Sequence, residues 1–168
     1  TGHRFDYDFD LANRRGEPRL VVLGGDDLRP YGIAAVEKGG RLRPLDAHND
    51  WLAVERRLAP VEAIRFRSPD GTEIEGFLVR PLDYVAGRRY PTILRLHGGP
   101  VYQFSHEFMP EWQAFAAAGF AVVTVNPRGS SGRGFEFAKS IFANWGQVDV
   151  ADALAAVDHV VGMGIADP

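Results

Sequence analysis

A chain of 168 residues, 45% hydrophobic and 24% charged, fits one domain of ordinary size, or one domain with an appended piece of another. Its 22 acidic and 19 basic residues are mixed along the chain to a net charge of −3, which leaves no basic stripe for a phosphate backbone and excludes nucleic acid as an expected partner. No apolar run reaches the roughly 18 residues of a membrane span, and the absence of cysteine rules out a thiol nucleophile, a disulfide framework and thiolate metal sites, favouring a reducing, cytoplasmic compartment. Residues 1–10 hold neither an initiator Met nor a charged segment followed by an apolar one, so the chain reads as starting at an interior cut.

The first sixty residues have all-β texture. Strands are expected at 5–10, 19–23, 31–37 and 42–45, with turn clusters at 13–16, 24–27 and 38–40 and no helix. Such a small meander is marginal alone, and a blade of a β-propeller is one larger context for it. From Ala63 the texture becomes mixed α/β: strands at 63–67 and 72–80 form a hairpin across the turn Pro69, Asp70, Gly71. A strand follows at 92–96, then a helix at 111–118 between Pro110 and Gly119, and a buried strand at 121–125. Residues 147–163 have helical spacing, with Val150, Leu154, Val157 and Val161 on the face expected to bury and Asp149 and Asp152 near the positive N-terminal end. Strand, helix, strand, helix predicts a parallel sheet with right-handed crossovers. The expected division is 1–60 and 61–168.

Chemistry concentrates in two loops. His97, Gly98, Gly99 and Pro100 follow directly on the strand at 92–96, and paired glycines let a backbone approach a ligand and aim its N–H groups; the same residues also suit an ordinary strand-ending turn. Residues 126–134 match neither a dinucleotide fingerprint nor a Walker-type phosphate loop, and neither Ser130 nor Ser131 is flanked by glycines two positions away on both sides as a nucleophile elbow requires. That loop reads as architectural, with Arg128 bridging carboxylates or carbonyls. None of the five histidines has metal-pair spacing, so no metal is expected. His159 reads as a surface or boundary residue of its helix, and His106 as either cleft-lining or solvated on its loop. His97 is placed to orient the glycine loop through a ring hydrogen bond; as a general base it would need a hydroxyl, and none can be named from the sequence.

Together, several groups of residues resemble the prolyl oligopeptidase family of serine peptidases, nearest its acylaminoacyl peptidase and dipeptidyl peptidase branch. They are Ser68 to Gly71 with Ile74, Gly76 and Phe77; Tyr90 and Pro91; His97 to Pro100; Gly119 to Ala121; Asn126 to Gly134; and Trp145, Gly146, Asp149, Val150 and Asp152. The resemblance covers 48–168, with the first 45 residues matching loosely as the end of the family's N-terminal β-propeller. It implies an α/β fold: the N-terminal half of an α/β-hydrolase domain, preceded by a short all-β segment. Within it, Gly99 offers its N–H to the oxyanion, Gly98 shapes the approach, and His97 lines the substrate side, at a position where dipeptidyl peptidases carry a tyrosine. The nucleophilic serine, acid and base would lie beyond Pro168, so the 168 residues alone are expected to be inactive.

The resemblance further implies that the substrate of the whole enzyme is a short peptide, cleaved by acyl transfer with no metal and no cofactor. An esterase or lipase of the same fold is the nearest alternative, which the β segment weighs against; a non-enzymatic structural or interaction fragment is another. Half a doubly wound sheet would leave the strand at 92–96 with an open edge, so the rest of such a domain or a second copy is expected to cover it.

Overall fold

The computed structural model describes residues 4–14 and 17–168. Two compact units are present: Thr1–Leu58 with Ser105–Pro110, and Ala59–Phe104 with Glu111–Pro168. His3, and Arg15 and Gly16 of the expected 13–16 turn, lie outside the described residues.

The first unit is an antiparallel meander of β1 (Arg4–Arg14), β2 (Glu17–Asp26), β3 (Arg29–Val36) and β4 (Leu42–Pro44), paired in that order. The first two strands run past their expected ends, with Leu11 to Arg14 still in register with β2 despite their polar content. This is tolerable because β1 is an edge strand, where outward-facing polar groups meet water. Its Tyr7, Phe9 and Leu11 alternate onto one exposed face. A short helix, α1 (Asp50–Glu55), stands where none was expected, since six residues are too few to display a helical period. The segment Ser105–Pro110 joins this unit through His106 Nδ1 to Asp27 Oδ2 at 2.8 Å and the Tyr31 hydroxyl, which donates to Glu107 Oε2 at 2.6 Å.

The second unit is built on β5 (Val61–Arg67), β6 (Glu73–Val79), β7 (Thr92–Leu96) and β8 (Ala121–Asn126), arranged β5-β6-β8-β7. The sheet is mixed rather than parallel: β5 with β6 and β6 with β8 are antiparallel, and only β7 with β8, joined through α2 (Pro110–Ala117), run parallel. A tight turn at 68–71 forces the first reversal, whereas the longer β7-to-β8 connection has length enough for a crossover. All six residues of β8 are buried, which explains its unbroken apolar reading. Ala121, Val123 and Val125 pack in one cluster with α4 (Val148–Gly162), and alternation sends Val122 and Thr124 to the opposite face. Trp112 of α2 is fully buried against Phe77 and Phe104. A further short helix, α3 (Phe135–Lys139), precedes α4.

The face of α4 differs from expectation. Asp152, Ala153, Ala155, Ala156 and Val160 are buried, while Val150 and Leu154 are 47% and 58% exposed. Alanines let the helix lie close on the sheet, and Asp152 must face inward to meet a buried arginine, so Val150 and Leu154 are turned aside while Val161 still packs against the core. Both α2 and α4 end with paired hydrogen bonds at a glycine: Gly119 N to Ala116 O with Phe120 N to Phe115 O, and Gly164 N to Val161 O with Ile165 N to Val160 O. Beyond α4 the chain returns to the edge of the sheet, where Tyr90, just ahead of β7, bridges Ala166 in parallel.

Gly76 is the tightest point of the sheet, because a Cβ there would stand 2.0 Å from the Thr124 carbonyl oxygen. Gly76→Ala is expected to lower stability by about 1–3 kcal/mol in denaturant titration, whereas Gly162→Ala, in open space at a helix end, should raise it by up to about 1 kcal/mol.

Candidate functional site

The parallel register of β7 on β8 brings the ends of both strands, and the loops that follow them, to one edge of the sheet. The first loop carries His97, half-buried, then Gly98 and Gly99, both exposed. Gly99 has φ 47°, a left-handed conformation that side chains resist, and among the described residues its N–H has no hydrogen-bond partner. An unspent amide held at a strand end is a donor available to an external acceptor.

The second loop fastens the first at three points. The Asn126 side-chain amide, buried at the end of β8, donates Nδ2–H to Phe104 O at 2.9 Å and accepts from Phe104 N at 2.8 Å. Ser131 N donates to Tyr102 O at 3.0 Å. The His97 ring lies with Nε2 2.9 Å from Ser130 Oγ and edge-on to the rings of Tyr102 and Phe104, at centroid distances of 5.6 and 5.3 Å. Burial pushes the His97 pKa below its ordinary value of 6.5, against a smaller opposing effect of the Gly98 carbonyl, so the ring is neutral at pH 7.

Arg128 holds the second loop from within. Its Nε and backbone N–H donate to Asp152 Oδ2 at 3.0 and 2.8 Å, and Nη2 donates to Asp152 Oδ1 at 2.8 Å. Nη1 reaches Asp70, and Ser68 and Thr72 hydroxyls lie at 3.4 Å. The Asp152 side chain is fully buried and that of Arg128 nearly so, which makes this a bidentate buried pair with its donors largely used. Asp152, then Asp70, raises the Arg128 pKa against the opposing effect of burial. Asp70 is held at about 2, first by the Thr72 backbone N–H, then by the Thr72 hydroxyl and by Arg128.

The other histidines stand elsewhere: His106 pairs with Asp27 in the first unit, His159 stacks on Phe66 at 5.4 Å, and His48 is exposed. Among the described residues no group of three or more His, Asp or Glu side chains could hold a metal ion, and no helix is long and apolar enough to cross a membrane. Asn126, Ser130 and Asp152 stand among the residues that carry the resemblance, but the sequence showed neither the contacts of Asn126 and Ser130 nor the inward role of Asp152. The one signal available was an asparagine closing an otherwise apolar strand.

Comparison with known proteins places this geometry. Residues 106–168 match the sequence profile of the prolyl oligopeptidase family. An uncharacterized peptidase of Bacillus subtilis, YuxL, is 35% identical over 133 residues, covering 79% of this chain and 20% of that protein. Dipeptidyl-peptidase 5 of Schizosaccharomyces pombe is 32% identical over 101 residues, covering 59% of this chain and 15% of the relative. The structure of Pyrococcus horikoshii acylaminoacyl peptidase superposes with a TM-score of 0.84 at 28% identity, over 97% of this chain and 25% of that one. The chain thus spans about a fifth of its first curated relative and a quarter of the solved chain. Fold and relatives together define a chain of mixed α/β architecture that is similar to part of several peptidases. The chain belongs to the prolyl oligopeptidase family.

Two outcomes test the geometry. Asp152→Ala strands a buried guanidinium and is expected to cost about 3–5 kcal/mol in chemical denaturation, more than Asp70→Ala, whose carboxylate is half exposed. For His97 the native pKa lies below the unfolded one, so the unfolded chain binds more protons as pH falls: stability should drop as pH falls below 6.5 and level off beneath the native value. Denaturation from pH 8 to pH 5 should show that drop in the parent chain and lose it in His97→Asn.

Proposed function

We propose that this chain is part of a serine peptidase of acylaminoacyl- or dipeptidyl-peptidase type, to which it contributes half of the oxyanion hole. The observation that carries the reading is the Gly99 N–H, unpartnered among the described residues, exposed, and set at the end of β7. The second unit then corresponds to the N-terminal half of an α/β-hydrolase domain, in which a loop after the third strand supplies one N–H and the residue after the nucleophile supplies the other. The strand order β5-β6-β8-β7 supports that assignment, and the four-stranded meander of the first unit resembles one propeller blade. We read the open edge of β7 as the side where the rest of such a domain, or a second copy, pairs.

In this mechanism a serine attacks the peptide carbonyl with histidine as base, and the carbonyl oxygen gains negative charge as the tetrahedral intermediate forms. Gly98, lacking a side chain, lets that oxygen approach, and Gly99 N–H stabilises it. Removal of one such donor costs about a hundredfold or more in kcat. Ser130 does not serve as nucleophile: it is fully buried and its hydroxyl is engaged by Pro127 O at 2.6 Å. We assign His97 no role as base, since its Nε2 is engaged by the hydroxyl of the fully buried Ser130. An ester-cleaving hydrolase uses the same loop, but the relatives are named peptidases, which favours peptide substrates.

A fluorophosphonate probe tests the assignment. The 168 residues alone should remain unlabelled, and in a full-length polypeptide the modified serine, mapped by peptide mass spectrometry, should lie outside them. Labelling of Ser130 or any other serine of this chain would refute the reading. Gly99→Ala in the full-length enzyme should lower kcat about ten- to a hundredfold with little change in KM.

A further inference from the structure

Ser130 Oγ has two polar neighbours, Pro127 O at 2.6 Å and His97 Nε2 at 2.9 Å. A hydroxyl has one proton to give, and a carbonyl oxygen can only accept. Two oxygens 2.6 Å apart are attracted only if that proton lies between them, so Ser130 donates to Pro127. The second contact is then His97 donating Nε2–H to Ser130 Oγ. In the neutral ring this leaves Nδ1 without a proton, 3.2 Å from the Gly98 carbonyl. The opposite tautomer would give the Gly98 carbonyl a proton from Nδ1, but it would draw the Ser130 proton to Nε2 and leave Ser130 Oγ and Pro127 O facing each other with none, and two unbridged acceptors repel more at 2.6 Å than at 3.2 Å.

We propose that Ser130 is a positioning residue for the glycine loop: by accepting from His97 Nε2–H it fixes the tautomer and plane of that ring, and thereby the direction of the adjoining Gly98 and Gly99 backbone. Tyr102 and Phe104 confine the ring by edge contacts without selecting a tautomer. Ser130 makes that selection, and it is anchored to Pro127 in the loop that Arg128 fastens to Asp152. The tautomer assignment stands on geometry alone; its catalytic consequence rests on the oxyanion reading given above.

Nitrogen-15 NMR of the imidazole rings separates the two. At pH 7.5 the parent chain should show His97 Nε2 protonated and Nδ1 bare; a protonated Nδ1 in the neutral ring would overturn the proposal without any variant being made. Ser130→Ala should give a mixture of tautomers and lower the order parameters of the Gly98 and Gly99 amides while those of β8 stay unchanged, and Ser130→Thr, which keeps the hydroxyl, should retain the parent pattern. Unchanged ring nitrogens and order parameters in Ser130→Ala would overturn it. In a full-length enzyme Ser130→Ala should reduce kcat about ten- to a hundredfold at constant KM. Altered ring and loop signals with undiminished kcat would defeat the oxyanion reading and leave the tautomer assignment standing.

Discussion

The buried pair between Arg128 and Asp152 is the constraint on which the site depends. Neither charge is stable alone in an apolar interior, so once the pair forms, the loop after β8 and the first turns of α4 are fixed to each other. That decides which face of α4 meets the sheet. It also holds Pro127, whose carbonyl anchors the Ser130 hydroxyl that meets His97, and we read the glycine loop as following from His97. The connection runs from a charge pair, through one hydroxyl and one ring, to a single backbone N–H.

A second constraint is the sheet itself. Because β8 is buried on both faces and β7 runs parallel to it, the loops leaving both strands emerge at the same edge. The Asn126 amide then substitutes for further strand pairing by meeting both polar groups of the Phe104 backbone. Donors needed for transition-state stabilisation must be held before the reaction begins, since a donor that has to be ordered during the reaction loses much of its effect. The glycine loop is flexible by composition and is ordered from outside, by its neighbour.

The elements read directly from the sequence are those with a dominant local signal. β5 and β6 flank a Pro-Asp-Gly turn, β7 and β8 are apolar runs of strand length, and α2 and α4 are bounded by proline or glycine. The helices α1 and α3 were not legible, because five or six residues cannot show a period. The buried face of α4 was misread for a different reason: hydrophobicity favours Val150 and Leu154, but a long-range ion pair outweighs it. The glycine loop was visible as a motif. Its supports were not, since Ser130 acts on a residue 33 positions away and Asn126 on one 22 positions away.

The role proposed for the glycine loop turns on one hydrogen bond. A crystal structure of the full-length polypeptide inactivated by a peptidyl phosphonate would test it most directly, because the phosphoryl oxygen occupies the place of the oxyanion. That oxygen should lie within hydrogen-bond distance, about 2.7–3.1 Å, of Gly99 N, with His97 still bonded to Ser130. An oxygen bound elsewhere, with the Gly99 N–H turned away from it, would contradict the claim.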